Sequence, residues 1–292
     1  MRIFPALVAC AFAAGFAGIA EAQMAKPGAD GVLRVCADPN SPPLSMKQGD
    51  GFENRIAELL AEDLGLKLEY TWFPQRMGFI RHTLRAVEPN SDRFKCDIVM
   101  GVPIGYDLAA TTRPYYRSTW AMVTMKGKGL DGVRTPDDLL QLPKDVLDHL
   151  RFGLIARSPP TDWLLKNKLF DQATPYLPQS GDPDAYPGEI IEKELAAGHI
   201  DVAIVWGPIA GYFAKRAGPN AILVPFPAGG DIRYDFEIAM GVRQGDKEWL
   251  GRIDHFIETH QKQIDAVLAT YNVPLLGTDG KLMAVVSQAA KP

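Results

Sequence analysis

Apolar positions along this chain change period several times, and the changes mark out its elements. Leu33 to Asp38 is apolar-rich and reads as a strand, closed by the stiff loop Pro39, Asn40, Ser41, Pro42 and Pro43. From Glu53 to Leu64, Ile56, Leu59, Leu60 and Leu64 recur at helical spacing, with Gly65 placed to cap the C-terminus. Alternation from Leu66 to Phe73 predicts a half-buried strand, and Met77 to Val87 a second helix. Ile98, Val99 and Met100 form an apolar run too short for a helix, with Gly101 and Pro103 to stop it. A βαβαβ order of this kind implies a parallel sheet with helices on its faces.

Past that run lie Tyr106, Asp107, Thr111 and Thr112, in a loop expected to end at Tyr115 and Tyr116. The carboxyl end of such a strand is where open α/β sheets hold ligands. Ile200 to Tyr212 repeats the logic, with Gly198-His199 before the strand and Gly207-Pro208 after it. Two such edges predict two lobes facing each other. Ser118 to Met125 reads as a strand with no helix before it, running into Gly127 to Gly132 as the crossing to the second lobe. There Thr135 and Pro136 open a helix as N-cap and first residue. Arg151 to Ala156 reads as a strand, Thr161 to Leu169 and Gly188 to Ala197 as helices, and Ala221 to Phe226 and Phe236 to Val242 as return strands. Lys247 to Tyr271 carries Leu250, Ile253, Ile257, His260, Ile264, Val267 and Tyr271 at helical spacing and is expected to buttress the first lobe. The expected division is 31–118 with 230–275 for one lobe, 119–229 for the other, and a tail over 276–292.

At 292 residues and 47% hydrophobic content, the chain has the material for one large or two ordinary domains. A net charge of -4 without a basic stripe argues against nucleic acid or an anionic membrane surface as partner. Residues 1–22 place Arg2 before a small-residue apolar run ending Ala20-Glu21-Ala22, the pattern of a cleaved signal peptide, with no bilayer-crossing segment expected after it. Removal of the leader takes Cys10 and leaves Cys36 and Cys96 in a compartment where thiols tend to be oxidised. Two readings of that pair stand side by side: one disulfide, or two buried thiols acting as small core residues.

Chemical motifs are mostly missing. There is no H-E-x-x-H, no G-x-S-x-G and no phosphate-binding Walker loop. Gly127, Gly129 and Gly132 fit G-x-G-x-x-G, but Val133, Arg134, Thr135 and Pro136 intervene before any helix, which favours a crossover loop over a dinucleotide site. His82, His149, His199, His255 and His260 have no second ligand at metal spacing. Asp38, Glu53, Asp107 and Asp201 are candidate cleft carboxylates, better explained by capping or ligand hydrogen bonding than by acid-base catalysis. Trp72, Phe73, Met77 and Phe79 cluster at a strand-to-helix turn, as core or as a protein-docking patch, and Trp120 and Trp206 are candidates to line the cleft. No catalytic, cofactor-binding or metal-binding residue is expected.

The leader, Leu33-Arg-Val-Cys-Ala-Asp38, Asp97-Ile-Val-Met-Gly101, Pro114-Tyr115-Tyr116 and Asp201-Val-Ala-Ile-Val205 together resemble the type II periplasmic solute-binding proteins. The resemblance implies two α/β lobes joined by a double crossover, with hinges near Ser118 to Met122 and Phe226 to Tyr234. Amino-acid binders of that family hold the ligand carboxylate with an Arg and its ammonium with an Asp. Here those positions fall at about Gly105 and at Trp206, so an ordinary zwitterion loses both partners. Arg157 and Ser158 remain candidates to hold an anion or hydroxyl compound, or merely to cap the helix near Thr161. The candidate cleft lining is therefore Asp38, Glu53, Tyr106, Asp107, Arg157, Ser158 and Trp206.

More specific strings, Arg34-Val-Cys-Ala-Asp-Pro-Asn40, Asp50-Gly-Phe-Glu-Asn54, Phe94 to Pro103 and Thr111-Thr-Arg-Pro-Tyr-Tyr-Arg-Ser118, resemble the MxaJ/XoxJ family. That resemblance implies an accessory role beside a periplasmic PQQ-dependent methanol dehydrogenase or its cytochrome c, with no chemistry and no cofactor of its own. The rival functions are solute receptor for an ABC importer and, third, a cyclohydrolase-like dehydratase resting on the cleft carboxylates.

Overall fold

Six residues from Val32 to Ala37 form strand β1, five of them buried. A hairpin of β2 (Asn40–Ser41) and β3 (Ser45–Met46) leads to helix α1 (Phe52–Leu64). The start of α1 is fixed by Asn54, whose Oδ1 accepts from the N–H of Gly51 at 3.0 Å and of Met46 at 2.9 Å. Gly65 ends it in the left-handed region at φ 64°, as its position in the sequence predicts. Strand β4 (Lys67–Trp72), one helical turn α2 (Phe79–His82) and strand β5 (Ile98–Pro103) follow. The structure, a computed structural model, describes residues 24–178, 182 and 184–283; the expected leader and the end of the expected tail lie outside them.

Strand β6 (Ala110–Met125) is the spine of the molecule. Its first part pairs with β11 (Asp235–Val242), and its last part with β9 (Val202–Trp206) on one side and β10 (Ala221–Pro225) on the other. The strand order is β4-β1-β5-β11-β6-β9, continuing through β7 (Phe152–Ile155) to β8 (Ala173–Tyr176), with β10 branching from β6. Each half thus has a parallel trio, β4-β1-β5 or β9-β7-β8, and the antiparallel strands lie between them. This is the two-lobed α/β architecture that the sequence predicts.

Helices α3 (Pro136–Leu139), α4 (Lys144–Leu147) and α5 (Pro159–Lys166), a π-helical turn at Ile190–Leu195, and α6 (Gly207–Ala217) cover the second half. Helix α7 (Lys247–Thr270) packs on α1 and β6 and buries Trp249, Ile253, Phe256, Ile257, Ile264 and Leu268 in the first core. On the opposite face of that sheet, Phe79, Ile80 and Leu84 pack over Val99, Cys36 and Cys96. Cys36 and Cys96 are joined by a disulfide with Cα atoms 5.5 Å apart, which decides between the two readings of the pair.

Several expected boundaries are corrected. The helix expected over 77–87 is only the α2 turn. Gly101 does not stop β5, which continues to Pro103 in register with β11. Thr111, Thr112, Tyr115 and Tyr116 lie within β6 rather than in a loop. The start of the expected tail, Leu276 to Met283, folds back: Leu276 is buried, and its N–H donates to Arg117 O at 2.9 Å.

Candidate functional site

Between the two halves lies a cleft of 760 Å³. Its first wall is the segment after β1 and the segment after β4, through Asp38, Asn40, Ser41, Pro74, Gln75 and Arg76. The facing wall comes from the end of β8 and the approach to the π-helical turn, chiefly Tyr176, Leu177, Tyr186, Glu189, Lys193 and Glu194. Asn40 reaches across, its Nδ2 donating to Asp184 O at 3.0 Å. On the second wall Lys193 holds Glu189 at 2.6 Å, and Tyr186 donates to Glu192 at 2.5 Å. Burial, with the Glu192 bond adding to it, pushes the Tyr186 phenol up to about 12.

Asp38 lines this cleft, but both its oxygens face backbone. Oδ1 accepts from Asn40 N at 2.8 Å and Oδ2 from Gln75 N at 2.6 Å. The carboxylate therefore staples two wall segments together, which is an Asx-type structural role. Glu53 sits behind that wall in the first turn of α1, 8% exposed, and its Oε1 has no hydrogen-bond partner. Loss of water, then the negative Asp38, raises its carboxyl to about 8. Gly101 makes room for it: a Cβ at that position would run into Glu53 Oε1.

The other expected lining residues are scattered. Tyr106 is half-buried against the Cys36–Cys96 core. Asp107 is exposed on the β5–β6 loop, its carbonyl accepting from Gln244 Nε2 at 3.2 Å. Arg157 and Ser158 border a separate depression of 400 Å³ shared with Asp162, Asp231 and Arg233. Ser158 precedes α5 and spends its hydroxyl on Ile155 O at 2.6 Å. Asp201 is bound at 2.8 and 2.9 Å to the Arg151 guanidinium at the other end of the sheet. The structure thus brings only Asp38, with Glu53 behind it, to the main cleft. Sequence reasoning missed the whole second wall, because residues 177–187 carry no periodicity to place them.

Trp206 stands where β9 passes into α6, half-buried, with its ring edge-to-face on Trp120 at 6.1 Å and on Phe236 at 6.0 Å. The pair Trp120 and Trp206 lies directly across the β6–β9 ladder. Trp120, Trp206 and Phe236 thus form an aromatic trio at the end of β9, at the position to which counting along the sequence assigns the receptor's carboxylate. Gly105, to which the same count assigns the receptor's arginine, lies in the turn after β5 at φ 77°. Among the described residues no group of His, Cys, Asp and Glu is arranged to hold a metal ion.

The fold and its interlobe cleft define a periplasmic-binding-protein-like molecule of the two-lobed type. No family model matches the chain. It is 30% identical over 270 residues to Protein MoxJ of Methylorubrum extorquens, covering 87% of this chain and 85% of that one, and 28% identical to Protein MoxJ of Paracoccus denitrificans, covering 89% and 95%. Among solved structures it matches the periplasmic binding protein XoxJ of Methylobacterium extorquens AM1 at TM-score 0.67 and 35% identity, over 84% of this chain and 100% of that one. MxaJ of Methlophaga aminisulfidivorans MPT matches at TM-score 0.69 and 27% identity with the same coverage, 84% and 100%. The chain belongs to the MxaJ/XoxJ (MoxJ) family, the binding-protein-like members of methanol-oxidation systems. An ancestral cationic amino acid binding protein, at TM-score 0.61 and 21% identity over 83% and 96% of the two chains, shares the fold alone.

Proposed function

We propose that this chain is a non-enzymatic periplasmic accessory protein that holds a segment of a PQQ-dependent methanol dehydrogenase in its cleft while the dehydrogenase is activated or assembled. The observation that carries the reading is Trp206, packed on Trp120 and Phe236 at the position that counting along the sequence assigns to the acid of a zwitterion receptor. Beside that trio a ligand ammonium finds aromatic faces, worth about 0.5–2 kcal/mol, in place of a carboxylate with its directed hydrogen bonds, so selection for free amino acids is weakened there. Asp38 supports the absence of catalysis, since both of its oxygens are committed to wall backbone. Family membership supports the choice of partner. The cytochrome c of the same system is the second partner in this reading, and the lobes divide as 31–118 with 230–275, and 119–229.

Deleting the gene from its host tests the proposal. Methanol dehydrogenase activity in the periplasmic fraction falls although the dehydrogenase polypeptide is still made, and adding back the purified chain during maturation restores it. Unchanged activity in the deletion strain, or a small solute carried through purification in the cleft, overturns the reading.

A further inference from the structure

Eight described arginines, Arg34, Arg55, Arg93, Arg113, Arg117, Arg151, Arg216 and Arg243, each hold a carboxylate. The connection from β4 to β5 is different. Between Phe73 and Val87 it contains Arg76, Arg81 and Arg85 and not one Asp or Glu. All three arginines are exposed. None of the three forms an ion pair among the described residues; the Arg76 guanidinium lies over the Phe73 ring, and Arg81 donates to the His82 ring.

Those rings form a ladder. Arg76 Cζ lies 5.4 Å from the centroid of Phe73, Phe73 stacks on His82 at 5.3 Å, and Arg81 Nη2 donates to His82 Nε2 at 3.3 Å. Phe79, Ile80 and Leu84 anchor the segment from below, against the disulfide-bridged side of the first lobe. The three exposed guanidiniums thus sit on an anchored base, and Arg76, already stacked on Phe73, gives up less freedom on gripping a carboxylate than a mobile lysine does. Met77, 92% exposed, and Val87, 43% exposed, add apolar surface among the charges. One end of the ladder, Arg76, is also part of the cleft wall, so the patch is continuous with the cleft.

We propose that the face formed by Arg76, Arg81 and Arg85 is the docking surface for an acidic face of a protein partner, which it delivers to the cleft mouth. Charge complementarity selects a protein over a lipid surface. Three cations on a chain of net charge -4 are too few to hold an anionic membrane firmly, against repulsion from the remainder. Planar guanidiniums instead match carboxylates, which they can grip with two parallel hydrogen bonds. Naming the dehydrogenase as that partner rests on the function proposed above.

The test uses the full chain, an Arg81→Glu/Arg85→Glu variant, the neutral Arg81→Gln/Arg85→Gln pair, and Lys262→Glu on α7, which covers the other face of the first-lobe sheet. Neither arginine in the variants lines the cleft. Association with the purified methanol dehydrogenase of the same host is followed by surface plasmon resonance at low and high salt. At low salt the Glu pair slows association by about tenfold or more, the Gln pair slows it less, and Lys262→Glu leaves it unchanged. High salt narrows these differences, because exposed charges are screened. Equal association by wild type and the charge variants removes the docking surface while leaving the proposed function standing. If the wild type does not bind the dehydrogenase, the function and the surface both fall. Binding of the wild type to phosphatidylglycerol vesicles in place of the dehydrogenase likewise overturns a protein-docking role.

Discussion

Asn272 donates its side-chain amide to the carbonyl oxygen of Gly211 at 2.9 Å, tying the chain just past α7 to the middle of α6 in the other lobe. Two neighbouring bonds extend the tie: Ser118 Oγ donates to Pro274 O at 2.8 Å, and Leu276 N donates to Arg117 O at 2.9 Å. A third segment of chain therefore crosses the junction beside the two hinge segments that the sequence predicts. The approach is close enough that a Cβ on Gly211 would collide with the Asn272 carbonyl, which is backbone and cannot swing away. Gly211→Ala is expected to cost about 1–3 kcal/mol as an overpacked contact, although alanine is the better helix former. Gly132→Ala, with open space around its Cβ, is the control and leaves the thermal midpoint nearly unchanged. Equal midpoints for the two variants would show that the junction yields.

The disulfide carries a second prediction. Cys36 and Cys96 are 60 residues apart in sequence, both buried, beneath Phe79 and Leu84. Closing a loop of that length restricts the unfolded chain by about 4 kcal/mol in the chain-entropy account, and measured losses run about 2–5 kcal/mol. The Cys36→Ala/Cys96→Ala variant should therefore unfold at a clearly lower denaturant concentration. A shift of less than about 1 kcal/mol would mean that the arginine network behind the bridge, where Arg243 donates to Cys96 O at 2.5 Å, already restrains this region.

Free amino acids should not stabilise the protein. A ligand present at a hundred times its dissociation constant adds about 2.7 kcal/mol, so a receptor announces itself in a melting curve. Glutamine or arginine at millimolar concentration is expected to leave the midpoint where it was. Trp206→Asp should lower stability, by losing the contacts to Trp120 and Phe236, without creating amino-acid binding, because Gly105 still supplies no cation. Amino-acid binding by either form would contradict the argument from the missing ionic grips.

Elements with clean periodicity, such as α1 and α7, were legible in the sequence because each buries a single face, whereas β11 was legible as an apolar run that is buried on both faces from Ile238 to Val242. Helix α6 was not: Gly207, Pro208 and Gly211 look like breakers. Pro208 in fact lies in the first turn, where its missing N–H costs nothing, and Gly207 and Gly211 permit close approach to Thr119 and Asn272. The start of β6 was hidden by Pro114, which sits where the β6–β11 register shifts, one of the few places a sheet tolerates proline. Strand β8 was hidden the same way, since Pro175 is accommodated on the outermost strand of the sheet. At the cleft, Asp38 was legible as a polar residue at a strand's carboxyl end. The second wall was not, because its placement depends on tertiary packing around the π-helical turn rather than on any local pattern.

Glu53 gives a pH-dependence whose sign is opposite to that of a salt-bridged carboxylate. It lies in the first turn of α1, where the helix dipole favours its charged form, yet burial wins and Oε1 finds no donor. Its carboxyl rises from 4.5 to about 8, through loss of water and then the charge of Asp38. Over that window the folded chain binds the proton more tightly than the unfolded chain does. The contribution is therefore fully present below 4.5 and is lost as the pH rises through about 8. At about 1.4 kcal/mol per unit, the upper bound is about 5 kcal/mol. Glu53→Gln keeps the shape and removes the titration, so urea denaturation at about pH 9 should find the variant more stable than the wild type. Near pH 5 that advantage should disappear, since the wild-type carboxyl is then neutral as well. A constant difference between the two proteins across this range would mean that Glu53 is ionised in the folded state and has found a donor behind the cleft wall.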